Sequence, residues 1–181
     1  MPCEYYDYLF RFPKKVRTLS LRTNGLPDQD QLTASRPSPQ RLARGPVAIF
    51  ECFERIPCNP CFDACPTGAV LPFADINDIP KVDFDLCTGC GNCIAACPGL
   101  AIFVVDETFS TGEALLKIPY EFSPLPERGE TIQVLNRAGR EVGQGKVVRI
   151  QKGRNKLATP LVWLTVPKGL AQEVRHLARY Q

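Results

Sequence analysis

Nine cysteines and a single histidine stand in this chain of 181 residues. Eight of the nine fall between positions 52 and 97, with spacings suited to thiolate chemistry. In Cys87-x2-Cys90-x2-Cys93-x3-Cys97-Pro98, three sulfurs from one tight loop can surround an iron-sulfur core, while the fourth points toward a second core. Two intervening residues turn successive sulfurs inward. Three carry the last sulfur onto a helical turn facing away, and the proline fixes the backbone beyond it. Gly89 and Gly91 suit such a loop, because without a Cβ the backbone N–H groups can approach the cluster closely.

The pattern occurs twice. Cys58-Asn-Pro-Cys61-Phe-Asp-Ala-Cys65-Pro66 aligns without gaps on Cys90-Gly-Asn-Cys93-Ile-Ala-Ala-Cys97-Pro98, a shift of 32 residues. By this repeat, Cys52, Cys58 and Cys61 form the second loop and Cys65 is its crossing ligand. One cluster then takes Cys52, Cys58, Cys61 and Cys97, and the other takes Cys65, Cys87, Cys90 and Cys93. Three extra residues precede Cys58, so Cys3 competes with Cys52 for one ligand position or remains an ordinary reduced thiol. The strand-like run 47–51 favours Cys52, since it delivers that residue where 82–86 delivers Cys87. Zinc and disulfides are the other uses of paired cysteines. Zinc sites rarely append x3-Cys-Pro twice, and disulfides need an oxidising compartment that nothing in the sequence suggests.

The segment from Val47 to Val105 resembles the bacterial-type ferredoxins with two 4Fe-4S clusters. That resemblance implies two [4Fe-4S] clusters as cofactors and single-electron transfer as the activity. The overall layout, with the phrase Phe50-Glu-Cys52-Phe-Glu-Arg-Ile-Pro-Cys58-Asn-Pro-Cys61, also looks like the small iron-sulfur subunits of FAD-dependent amine, opine or proline-type dehydrogenase complexes. This second likeness implies FAD-containing dehydrogenase subunits as partners in a stable hetero-oligomer.

Short elements must position the cysteines. Val47-Ala-Ile-Phe50 and Val82-Asp-Phe-Asp85 read as strands before the two loops, and Ala69-Val70-Leu71 and Ala101-Ile102-Phe103 as returning strands after them. Residues 1–45 show neither helical nor alternating periodicity and hold Asn24-Gly25, Pro27, Pro37 and Pro39, which predicts an extended arm with turns. Tyr5, Tyr6, Tyr8, Phe10 and Phe12 crowd near its start, as anchors on this protein's own core or on a partner. Beyond about residue 109, runs at 115–120, 131–135, 146–150 and 161–166 are rich in Val, Ile, Leu and Thr. Turn residues at 136–139 and 152–155 let consecutive runs pair as hairpins. After Pro167, Leu170, Val174 and Leu177 fall on one face of a final helix, opposite Gln172, His176 and Arg179, which makes His176 a surface residue. These elements predict an α+β protein in three parts. They are an extended N-terminal arm (1–45), a pseudo-symmetric two-cluster ferredoxin core (46–108), and a small antiparallel β-barrel or sandwich with a terminal helix (109–181).

Composition bounds the function. With 44% apolar and 23% charged residues the protein is ordinary globular material. It has no apolar run long enough for a membrane span and no signal-peptide layout, so a cytoplasmic location is expected. Residues 1–50 hold eight Lys and Arg against four acids, 51–121 three against eleven, and 122–181 eleven against four. The acidic middle between basic ends marks at least two structural units. The basic tail raises the alternative of a nucleic-acid-binding module, but it lacks a row of stacking aromatics, and electron transfer without nucleic acid is the expected role. A freely diffusing ferredoxin is a further alternative, although such a carrier needs neither arm nor tail. No dinucleotide fingerprint, P-loop or nucleophile–base pair is present. Substrate chemistry therefore falls to a partner, and the protein is expected to be a non-catalytic subunit of an oxidoreductase complex. Finally, Pro60 stands where the second loop has Asn92 and has no N–H to donate to sulfur. The cluster of Cys52, Cys58 and Cys61 is accordingly expected to have the lower potential.

Overall fold

The structure, a computed structural model, describes residues 20–152 and 159–178. Cys3, the aromatic cluster of residues 5–12, Arg179 and most of the 152–155 turn lie outside these residues.

The apolar runs become strands of one antiparallel sheet. In sequence order these are β1 (Val47–Phe50), β2 (Ile102–Asp106), β3 (Glu113–Pro119), β4 (Thr131–Asn136), β5 (Glu141–Gln151), β6 (Leu161–Pro167) and β7 (Val174–Leu177). Their order across the sheet is β1-β2-β3-β6-β5-β4-β7. β4 and β5 form the hairpin that the turn residues predict, with Asn136 Oδ1 accepting from the N–H groups of Ala138 and Arg140. β5 and β6 pair likewise, whereas β3 pairs with β2 and β6 and leaves β4 to pair with β5 and β7. The sheet therefore runs unbroken from the cysteine-bearing segment into the tail.

Two apolar clusters use opposite faces of it. Ile49, Phe103, Val105, Leu116 and Ile118 join the core beneath β4–β7. Ala48, Phe50, Ile102 and Val104 face the cysteine loops, together with Ile94 and Leu161. Successive strand residues point to opposite faces, so all four residues of β1 are buried. Side chains also bridge from the end of β1 to β7. Glu51, just past β1, accepts from Arg175 Nε of β7 at 2.8 Å and from Arg137 of the β4–β5 turn. Burial pushes the Glu51 carboxyl up, but the two guanidiniums outweigh it and hold it below the usual value. Burial lowers Arg175 to about 10 against the pull of Glu51.

Two expectations are corrected. Among the described residues the final helix is absent: only a 3-10 turn, Lys168–Leu170, forms before β7. Val174 and Leu177 satisfy both a helical and an extended reading, and the free edge of β4 decides between them by offering backbone partners, Val134 to Leu177 and Leu135 to His176. His176 is half-buried beside Tyr120 and Phe122, with ring centroids 5.7 and 5.3 Å away. The N-terminal region, in turn, is not extended throughout. It forms α1 (Ser20–Asn24), α2 (Gln29–Ser35) and α3 (Pro39–Leu42), each too short to show a period. Local capping makes the second and third. Asp28 and Gln31 exchange side-chain and backbone hydrogen bonds at 2.8 and 2.9 Å, and Ser38 Oγ accepts from Arg41 N with Pro39 at the first helical position.

Candidate metal centre

Each cysteine loop leads into one short helix, α4 (Pro60–Asp63) or α5 (Asn92–Ala96). The expected strand pairs are unequal. β1 pairs with β2 over four residues, while Val70 and Val82 make only an isolated bridge. Cys52, Cys58, Cys61 and Cys97 line one cavity, with Glu54, Ile56, Asp78 and Pro98. Cys65, Cys87, Cys90 and Cys93 line another, with Val70, Val82, Gly89 and Gly91. The last cysteine of each run thus sits with three cysteines of the other, and Phe50 lies against both cavities. Cys61 and Cys93 are buried and Cys90 is exposed.

The thiols bear the marks of crowding. Burial, then the charges of Cys97 and Cys58, pushes Cys61 up to about 11. Burial, then Cys87, Cys90 and Cys65, pushes Cys93 up to about 12. Cys52 is raised for the same reasons, burial first and then Cys97 and Cys58. Cys65 goes the other way: burial raises it, but backbone donors from Val70, Thr67 and Ala69 and the Thr67 hydroxyl outweigh that effect. Four thiolates around one void need positive charge at its centre. Four cysteines lining one cavity are a donor set that fits an iron-sulfur core.

Sequence reasoning missed two cations that hold the second loop. Arg41 of α3 donates to four backbone carbonyls, those of Phe84 (2.6 Å), Gly45 (3.0 Å), Pro46 (3.0 Å) and Cys87 (2.6 Å). Lys117 of β3 donates to the carbonyls of Gly89 at 2.6 Å and Cys90 at 3.4 Å. The sequence signal for Lys117 is a charge inside the otherwise apolar run 114–120. The Ala48 N–H lies 3.4 Å from Cys87 Sγ. Gly89 adopts a φ of +62°, and a Cβ there would stand 2.7 Å from the Pro46 side chain, so this position requires glycine. Around the first loop, the extra residues before Cys58 fold against 75–79: Arg55 pairs with Asp78 at 2.8 Å, and Cys58 N donates to Ile76 O at 3.2 Å.

Residues 54–101, about a quarter of the protein, match the family described as a 4Fe-4S dicluster domain. The sequence is 41% identical over 54 residues to the ferredoxin-type protein NapF of Haemophilus influenzae, covering 29% of this chain and 31% of that protein. It is 45% identical over 51 residues to the thiosulfate reductase electron transfer subunit PhsB of Salmonella typhi, covering 25% and 26%. With protein NrfC of Escherichia coli the identity is 52% over 45 residues, covering 25% and 20%. The match thus spans a third or less of the length of these curated relatives. No solved structure matches it. The similarity supports 4Fe-4S chemistry and electron transfer in the cysteine-bearing segment. Among the described residues, no helix is long and apolar enough to cross a membrane.

Proposed function

We propose that this protein is a dedicated electron-transfer subunit holding two [4Fe-4S] clusters, one on Cys52, Cys58, Cys61 and Cys97 and the other on Cys65, Cys87, Cys90 and Cys93. The observation that carries this reading is the exchange of the fourth cysteine between the two cavities, with Phe50 against both. Bound clusters supply one-electron chemistry. The protein's own residues hold the thiolates, shield them with Phe50, Val70 and Ile102, and fix the second loop through Arg41 and Lys117.

The partner in this reading is an FAD-containing dehydrogenase in a stable cytoplasmic hetero-oligomer, because a substrate that gives up an electron pair needs a flavin to split it. Support for a multi-subunit assembly comes from relatives named as components of reductases, PhsB and a polysulfide reductase component of Wolinella succinogenes. The continuous sheet that ties the cysteine segment to the tail also fits a subunit built for one assembly. Anaerobic purification from the native source with partners attached, followed by iron, sulfide and flavin analysis, tests it. About eight irons per chain with flavin in a co-purifying subunit is expected. Eight irons without a partner would leave a diffusing ferredoxin, and zinc in place of iron would refute the reading.

A further inference from the structure

Lys117, Trp163 and Arg149 form one cross-strand row over β3, β6 and β5. The Lys117 ammonium lies 4.0 Å from the centre of the Trp163 ring, and the Arg149 guanidinium carbon 5.1 Å from it. Lys117 is only 7% exposed. Among the described residues its ammonium forms no ion pair with a carboxylate; Asp106, an acid that acts on it, accepts from Thr108 of its own turn. A buried cation with no carboxylate partner demands negative charge from elsewhere. Its hydrogen-bond partners are instead the carbonyls of Gly89 and Cys90, in the loop that carries Cys87, Cys90 and Cys93. The two cavities differ in the same sense. Glu54 and Asp78 line the cavity of Cys52, Cys58, Cys61 and Cys97, and among the described residues no carboxylate lines the other.

We infer that Lys117 is an electrostatic positioning residue: its fixed charge behind the Cys87–Cys93 loop makes the cluster on Cys65, Cys87, Cys90 and Cys93 the easier of the two to reduce, so that a single electron on the protein rests there. The inference rests on the two-cluster reading. Reduction adds one negative charge to a cluster, and a cation in a weakly screened interior stabilises the reduced form more than the oxidised one. Lys117 donates to carbonyls and not to sulfur, so its effect on the cluster is one of charge.

The test is a potentiometric titration, followed by electron paramagnetic resonance, of the anaerobically purified full-length protein and of Lys117→Gln and Lys117→Met. At the ambient potential that half-reduces the higher cluster of the unaltered protein, both variants should show a reduced-to-oxidised ratio about tenfold lower, or 59 mV for a one-electron couple. The other cluster should be unmoved. Gln keeps an N–H for the carbonyls, so if Lys117→Gln keeps the original potential while Lys117→Met loses it, the role is structural and the inference fails. It also fails if both clusters move together or neither moves. Should neither variant assemble, Cys90→Ser in the unaltered background decides. The signal it perturbs must be the one that appears first on reduction, and its appearance second overturns the proposal. Iron analysis of the unaltered protein separates the two failures: fewer than about eight irons removes the two-cluster reading itself, whereas eight irons with no Lys117 effect removes only this inference.

Discussion

Glu51 binds Arg137 and Arg175, and with a side chain only 7% exposed it cannot be replaced by a neutral amide without leaving Arg175 as an uncompensated buried charge. Glu51→Gln should destabilise the fold by about 3 kcal/mol at pH 7, measured by chemical denaturation. The pH dependence has a definite sign. The Glu51 carboxyl is lower in the folded than in the unfolded state, so its contribution is full above 4.5 and disappears as pH falls through the lower folded value. The variant should therefore show a shallower loss of stability on acidification, and an unchanged acid limb would count against the pairing. At Pro60, the first residue of α4, the missing N–H is one the equivalent Asn92 retains. Pro60→Gly should raise the lower of the two cluster potentials and leave the higher one in place, as read by titration. The cysteines were legible in the sequence because their spacing alone carries the chemistry. Arg41 and Lys117 were not, since each acts on carbonyls far along the sequence, Arg41 on Cys87 46 positions away and Lys117 on Gly89 28 positions away.

At the scale of elements, the strands were readable wherever β-branched residues recur between turns, and β1 matches its expected span, residues 47–50. At β7 the helical expectation fails for a physical reason. Leu170, Val174 and Leu177 have helical spacing, but a four-residue strand needs no period at all, and the open edge of β4 settles the conformation. His176→Pro removes one N–H from that edge and clashes with the ladder, at a cost of about 3 kcal/mol. Hydrogen exchange should then speed up at residues 134–136, and protection retained there would argue that β7 is not what covers β4. The short helices α2 and α3 are not legible in the sequence for a related reason. Capping bonds at Asp28 and Ser38 build them, and no apolar stripe marks them.

Over the whole molecule, the sheet was the least legible feature, because the bridge from β1 to β7 depends on partners such as Glu51 and Arg175, 124 positions apart. Its continuity means that the cysteine segment borrows walls from the tail. Leu161 of β6 belongs to the apolar cluster around Cys61 and Cys93, and Lys117 of β3 braces the Gly89–Cys90 backbone. A truncated protein ending at residue 108 should therefore hold markedly less iron than the full-length one after identical anaerobic reconstitution, and equal iron would show that the tail contributes nothing to cluster retention. The placement of Leu161 also has a temporal side. A ribosome releases a protein from its N-terminus, so all eight cysteines of the two cavities emerge before Lys117 and Leu161, the two residues that the tail lends to them. At synthesis rates of about 5–20 residues per second, Cys97 precedes Leu161 by roughly 3–13 s. For that interval the thiols are open both to iron delivery and to oxidants, and the order of the sequence itself sets when the window closes.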